Sequence, residues 1–361
     1  MLVFDERMKL SWDEFHSLSL QQRAESFRME GKVYHTIFSQ QFSRHDLEQL
    51  SRLATKIRRI AKSKAGMAFL QSLLPHKRAM LYFQQPSTRT FLSFHAACPI
   101  LGMKSSEVRE ARTSSEIKGE TPEDSVRTFS SFFDVIIMRH PEAGFAEKIA
   151  WLLSNTERPV PVINAGSGKD QHPTQALLDV YTLFRSFEDR MGIDGKSLAF
   201  CGDLKRGRTV RSLAQLLTNF EDIEMYFVAP PELQIESDIT DILDERGVKW
   251  QKADKLEDVV PLIDAVYMTR LQDEWDDKGE SRNIDFADFN FSKKLLKQLK
   301  PSAVIMHPLP RRNEIPDEID NDPRAVYWRQ VRNGMWIRAA LFATIFRRDD
   351  VISDYYETNN G

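Results

Sequence analysis

The sequence predicts an α/β protein wound from βαβ units, because seven short and nearly all-apolar runs alternate with helical patterns along most of its length. The runs are AMLYF, DVIIMR, PVPVINA, SLAFCGD, EMYFVA, DAVYMTR and AVIMH. A strand reads as unbroken apolar sequence when helices cover both faces of a parallel sheet; a half-solvated strand would alternate instead. A third observation sets the scale. With 361 residues, 41% hydrophobic and 29% charged, the chain can form two domains of ordinary size around a substantial core.

The elements follow in order. The first thirty-odd residues are polar and mixed in charge, and read as an extension with one amphipathic helix. SRHDLEQLSRLATKIRRIAKS predicts a helix with Ser43 as its N-cap. AMLYF is followed by STRTFLSFHAA, so a strand passes into a helix whose N-terminus holds Ser87, Thr88, Arg89 and Thr90. Free N–H groups and the positive dipole end favour an anion there, and an arginine fork adds charge-assisted bonds. Thr121, Pro122 and Asp124 form a capping box with proline at N1, which starts a helix near Pro122. Ser114 and Lys118 lie on the loop before it, within reach of an anion.

DVIIMRHP places Arg139 at the carboxyl end of a buried strand, where its charge can meet a ligand. NAGSGKDQHPTQALLDVYTLF reads as strand, glycine loop and helix with Pro173 near N1, and His172 and Gln175 can address one ligand across the first turn. FCGDLKRGRTVRSLAQLL repeats that order with Arg208 at the turn. It lacks G-x-G-x-x-G and no suitable acid ends the next strand, so it fits a dinucleotide poorly. VYMTRLQ brings Arg270 and Gln272 just past a strand end, and VIMHPLPRRNEIP sends two prolines through a turn after the last strand.

The formal charge of −3 supplies no global basic field for nucleic acid, so anion recognition has to come from clustered arginines. No apolar run approaches the ~20 residues of a membrane helix, and the start lacks the basic-then-apolar order of a signal peptide. The expected compartment is the cytoplasm, with no membrane partner. Cys98 and Cys201 sit far apart in apolar contexts, which suits reduced core thiols and predicts no structural zinc. Each motif alone has an ordinary explanation, from a Ser/Thr cap to a solvated lysine. Together they put five cationic side chains at the edge where an α/β sheet binds ligands, and small anions, including a phosphate, are the expected guests.

In order and spacing, PSTRT, KGET, MRHP, QHPTQ, GDLKRGRTV, TRLQ and HPLPR resemble the catalytic chains of aspartate transcarbamoylase (aspartate carbamoyltransferase), from about Tyr34 to about Arg348. PSTRT specifies only the carbamoyltransferase superfamily, whereas HPLP in place of the HCLP of ornithine enzymes points to aspartate. The resemblance implies two doubly wound parallel-sheet domains of the carbamoyltransferase fold. Residues 33–180, completed by a helix over 335–350, would bind carbamoyl phosphate, residues 181–334 would bind aspartate, and residues 1–32 would be an extension. It also implies carbamoyl transfer to L-aspartate in pyrimidine biosynthesis, without metal or cofactor. The alternatives are a transcarbamoylase for another amino acid such as ornithine, whose second amine Arg270 would repel, and a catalytically silent binding or assembly relative, against which the presence of every motif side chain argues.

By the same resemblance, Ser87, Thr88, Arg89 and Thr90 would hold the phosphate, and Arg139, His172 and Gln175 the carbamoyl end. Arg208, Arg270 and Gln272 would bind aspartate, while Leu309 and Pro310 offer backbone carbonyls. Ser114 and Lys118 would enter the site of a neighbouring subunit in a homotrimer. Thr88, Arg89, Lys118, Arg139 and His172 would carry the chemistry. A regulatory chain or a dihydroorotase remains a possible further partner. The chain departs from the family at Gln85, where aspartate enzymes carry a glutamate that helps hold the domains closed. It also departs at Pro99, expected to end the anion-binding helix about one turn early, and in the segment before Val33, which has no match.

Overall fold

Two serine-led capping boxes open the fold. Ser11 with Glu14 starts α1 (Trp12–Ser17) and Ser19 with Gln22 starts α2 (Leu20–Ser26); each serine oxygen accepts an N–H from the first turn while the third residue's side chain accepts the serine N–H. A hairpin follows, β1 (Arg28–Met29) and β2 (Lys32–Val33), turned by Glu30 and Gly31 at φ 52° and 74°. Among its described residues the extension therefore holds a 3-10 turn (Glu6–Lys9), two short α-helices and a hairpin instead of one helix, because Leu18 and Ser19 are extended and interrupt the periodic run. Its Met8, Phe15, Ala24 and Phe27 are buried in one cluster with Met80, Tyr82, Ile136 and Ile149.

The computed structural model describes residues 4–109, 119–168, 171–272 and 289–360. It divides into one unit of Met1–Leu177 with Arg332–Gly361 and a second of Leu178–Val331. In the first, α3 (Arg44–Ile60) is capped by Ser43 and followed by α4 (Lys64–Gln71), β3 (Arg78–Phe83), α5 (Thr88–Ile100) and β4 (Lys104–Val108). Then come α6 (Pro122–Phe132), β5 (Val135–His140), α7 (Phe145–Ser154), β6 (Val162–Ser167) and α8 (Pro173–Phe187). The four strands are all parallel, in the order β4-β3-β5-β6.

The second unit runs through β7 (Ser197–Cys201), α9 (Arg208–Leu217), β8 (Glu224–Val228), α10 (Ser237–Glu245) and β9 (Lys249–Ala253). It continues with α11 (Leu256–Val259), β10 (Ala265–Met268), α12 (Lys293–Gln298) and β11 (Val304–Met306). Its five strands are parallel, in the order β11-β10-β7-β8-β9. The chain ends with α13 (Tyr327–Ile345) and α14 (Asp349–Asn360), between which Arg347 turns at φ 55°. No helix among the described residues is long and apolar enough to cross a membrane.

All seven apolar runs of the sequence contain strands, and β5 and β6 are buried at every position. Each such leucine, isoleucine or valine contributes about 1.5–3 kcal/mol by leaving water. Pro99 lies in the last turn of α5, which stops one residue later.

The strand orders decide where ligands can bind. In the first sheet β3 leads to β4 on one side, and the chain then crosses to β5 on the other. In the second, β7 leads outward through β8 to β9, and β10 then pairs with the opposite side of β7. Each sheet thus has a switch point where successive crossovers part, between β3 and β5 and between β7 and β10. At such points of open α/β sheets, ligands bind beyond the carboxyl ends of the strands.

Candidate active site

At the first switch point Phe83 of β3 stands in register with Arg139 of β5, and the Gln84 N–H donates to the Arg139 carbonyl at 2.9 Å. The chain therefore leaves β3 beside Arg139 and enters α5 there. Ser87 is the N-cap residue, yet its hydroxyl makes no capping bond to the helix. Thr88 and Arg89 are exposed on the first turn, whereas Thr90 is buried with its Oγ1 3.3 Å from His172 Nε2. His172 and Arg139 are only 4% and 8% exposed. Arg139 Nη1 donates to the Ala165 carbonyl at 3.1 Å.

Gly166 explains how these groups fit together. Its φ is 112°, and an added Cβ would stand 2.6 Å from Arg139 Nη1 and 3.5 Å from His172 Cδ2. A residue without Cβ lets the guanidinium and the imidazole close on this strand end. Gln175 is half-buried on the first turn of α8, where its N–H meets the His172 carbonyl at 3.0 Å. A guanidinium, an imidazole and a hydroxyl out of water, beside a helix N-terminus, suit a phosphate and an oxygen that gains charge during reaction.

The second switch point is closed by backbone. Gly202 ends β7 at φ 118°, and an added Cβ would lie 2.1 Å from the Thr269 carbonyl after β10. Asp203 follows, fully buried, with its carboxylate accepting the Gln272 N–H at 3.0 Å and the Arg206 N–H at 3.1 Å. Burial pushes the Asp203 carboxyl up from its ordinary value, opposed by those two N–H bonds. Gly207 stands close to this loop, since an added Cβ would be 3.5 Å from the Gln272 amide nitrogen. Arg208 opens α9 at the next position, so Arg208 and Gln272 are brought to one place. Arg270 is half-buried just before them, with Nη1 donating to the Leu271 carbonyl at 2.7 Å.

β11 lies next to β10 and delivers Leu309, at φ 57°, and Pro310 across a cis peptide. The Leu309 N–H donates to His307 Nδ1 at 2.7 Å, and His307 Nε2 lies 2.8 Å from Glu314 Oε1. Burial raises the Glu314 carboxyl, but the bonds from His307 and from the Arg312 N–H outweigh it and hold the group below its ordinary value. The His307 N–H donates to Gln330 Oε1 at 2.9 Å, Gln330 Nε2 donates to Asp179 at 2.6 Å, and the Tyr267 hydroxyl donates to Asp179 at 2.8 Å.

The structure thus gathers Thr90, Arg139 and His172, with Ser87, Thr88, Arg89 and Gln175 on the adjoining helix starts. In the other unit it gathers Arg208 and Gln272, with Arg270 and Leu309–Pro310 on the adjacent strand ends. Ser114 and Lys118 lie outside the described residues. Sequence reasoning missed Asp203, Asp179, Glu314 and Gln330, and it gave His307 no task. Asp203, Asp179, His307 and Glu314 stand inside quoted stretches, but the pairing of Asp179 with Gln330 spans 151 residues and has no local signal.

Residues 34–185 match the family described as aspartate/ornithine carbamoyltransferase, carbamoyl-P binding domain, and residues 194–345 match its Asp/Orn binding domain. The chain belongs to the aspartate/ornithine carbamoyltransferase family. Its relatives in this family include the chloroplastic aspartate carbamoyltransferase of Arabidopsis thaliana, 42% identical over 308 residues, which are 84% of this chain and 76% of that protein. The aspartate carbamoyltransferase catalytic subunit of Chromobacterium violaceum is 40% identical over 311 residues, 86% of this chain and 97% of that subunit.

Solved carbamoyltransferase structures share the fold. Aspartate transcarbamoylase from Trypanosoma cruzi, in complex with carbamoyl aspartate and phosphate, superposes with a TM-score of 0.75 at 36% identity, over 87% of this chain and 96% of that one. The catalytic subunit of M. jannaschii aspartate transcarbamoylase gives 0.77 at 34% identity, over 88% and 99%. The two parallel-sheet α/β units expected from the sequence are the carbamoyltransferase fold of these neighbours.

Proposed function

We propose that this protein is an aspartate carbamoyltransferase, moving the carbamoyl group of carbamoyl phosphate to the amine of L-aspartate and releasing phosphate. The observation that carries the reading is an arginine-bearing anion cluster at the switch point of each sheet, in a chain whose relatives at 40–42% identity bear that name. Residues 33–180 with 335–350 take carbamoyl phosphate, and residues 181–334 take aspartate. The product, N-carbamoyl-L-aspartate, belongs to pyrimidine biosynthesis.

Ser87, Thr88, Arg89 and Thr90 hold the phosphate at the start of α5, and Gln175 orients the carbamoyl end. Arg208, Arg270 and Gln272 bind the two carboxylates, which suit planar guanidinium forks and set the site against a cationic amino acid such as ornithine. Leu309 and Pro310 present carbonyls to the amine and to the carbamoyl nitrogen. The amine lone pair attacks the carbamoyl carbon, and the C=O electrons move onto oxygen. Arg139, His172 and Thr88 donate to that oxyanion, each well-placed donor lowering the barrier by ~3–4 kcal/mol. The C=O then reforms as the C–O bond to phosphorus-bound oxygen breaks, and phosphate departs with the electron pair and takes the amine's proton. Holding two anions in line contributes up to ~7–11 kcal/mol through avoided encounter entropy.

The reading includes a cytoplasmic homotrimer in which Ser114 and Lys118 of one subunit complete a neighbour's site. Support for a reducing compartment comes from Cys98 and Cys201, both buried and unpaired. Incubating purified enzyme with carbamoyl phosphate and aspartate, then with ornithine, tests the activity; product from ornithine alone overturns the aspartate assignment. Inactive Lys118→Ala and Arg139→Ala chains, mixed and reassociated, recover partial activity if sites are shared, and no recovery removes the sharing. Light scattering on the same samples reports the trimer and any larger assembly with a regulatory chain or a dihydroorotase.

A further inference from the structure

We infer that His307 is a positioning residue for aspartate: its imidazole, held in one tautomer by Glu314, anchors the Leu309 backbone that addresses the substrate amine. The inference rests on the reading of Leu309 given above. Leu309 is not glycine, yet it sits at φ 57°, a left-handed conformation that residues with a Cβ adopt only when their surroundings hold them there. The His307 ring helps to hold it, through a 2.7 Å bond from the Leu309 N–H to Nδ1.

That bond fixes the ring's chemistry. Nδ1 must carry its lone pair to accept the N–H, so the ring proton sits on Nε2, 2.8 Å from Glu314 Oε1. Glu314 is aimed in turn by the Arg312 N–H, at 3.0 and 3.1 Å from its two oxygens. His307 is 1% exposed, and its own N–H is held by Gln330, which Asp179 holds. A continuous set of hydrogen bonds therefore runs from Asp179 to the Leu309 N–H.

The two ring nitrogens do different work, and two substitutions separate them. His307→Asn can place an amide oxygen near the position of Nδ1 and still accept the Leu309 N–H, while losing Glu314. His307→Gln can reach Glu314 from near the position of Nε2, but leaves Leu309 without its acceptor. Steady-state kinetics of the full chain, read with melting temperatures, decide between them. His307→Gln is expected to raise the aspartate KM about tenfold with the carbamoyl phosphate KM unchanged, and His307→Asn to raise it about threefold or less. An equal aspartate KM in both variants overturns the inference, as does a parallel rise of both KM values with a lowered melting temperature. Should His307→Gln fail to fold, Glu314→Gln decides: the ring stays, its charged partner goes, and an unchanged aspartate KM overturns the proposal. Failure of the parent chain to form carbamoyl-aspartate would instead sink the assigned reaction, and the same assay reads that before any variant is made.

Discussion

At the switch point of the first sheet the polar groups are side chains on strand ends and helix starts, with Arg139 and His172 packed around Gly166 and Thr90 against His172. At the carboxyl edge of the second, buried side chains hold loop backbone: Asp203 takes the N–H groups of Gln272 and Arg206 at the switch point, and His307, after the neighbouring β11, takes that of Leu309. In the function proposed above, the first cluster presents donors directly to a ligand. The second shapes the loops that carry its ligand-facing groups. A substitution in the first cluster should remove transition-state stabilisation and appear in kcat, whereas one in the second should displace a loop and appear in the aspartate KM.

The largest expected effect is that of Arg139→Ala, which removes a buried donor and should lower kcat by about 10²–10³-fold. A kcat within tenfold of the parent would exclude Arg139 from oxyanion stabilisation. Gly166→Ala tests the same cluster without removing a charge, because the new Cβ would stand 2.6 Å from Arg139 Nη1. At φ 112° an alanine also strains the backbone, so the guanidinium or the strand end must shift, and kcat should fall about tenfold with the aspartate KM unchanged. Asp203→Asn tests the other cluster. The amide keeps one acceptor oxygen for two N–H groups, so one is left unsatisfied at about 1–3 kcal/mol, and the aspartate KM should rise about tenfold while kcat holds. A fall in kcat with an unchanged KM would break the contrast between the clusters.

The same contrast explains what the sequence revealed. The seven buried strands were legible because parallel strands covered on both faces are continuously apolar. β4 and β9 were not: KSSEV and KWQKA are partly exposed edge strands whose charges resemble those of loops. In the first cluster each group announces itself, as Arg139 does by standing at the end of an apolar run. In the second, Asp203 reaches Gln272 across 69 residues and Gln330 reaches Asp179 across 151, pairings fixed only once the sheet is wound. His307 stands in the HPLPR motif, but its role depends on Glu314 and on the Leu309 N–H, which meet the ring only when the loop is folded.

The smallest expected effect lies in the first unit, far along the chain from Arg139 and His172. His35 is fully buried against the rings of Phe4, Phe27 and Tyr34. Its Nδ1 accepts the Val162 N–H at 3.1 Å, so Nε2 carries the proton and meets Ser154 Oγ at 2.9 Å, while the Ser154 hydroxyl donates to the Ala150 carbonyl at 2.8 Å. The neutral ring satisfies every partner, and a second proton would displace the Val162 N–H. Burial accordingly lowers the His35 pKa from an ordinary 6.5 to about 3. Between those values the unfolded chain binds a proton that the folded chain refuses, so the stability contributed by His35 is complete above pH 6.5 and declines as the pH falls. The slope is about 1.4 kcal/mol per pH unit for one such group. Urea melts of the parent and of His35→Asn, each taken at about pH 7 and about pH 5, should show the parent losing more stability on acidification, although the variant is weaker at neutral pH. Hydrogen exchange should place that loss in α7 and β6, which hold Ser154 and Val162, and leave β7 to β11 unaffected by the substitution. Parallel pH slopes in the two proteins would mean that the buried ring takes up its proton without cost.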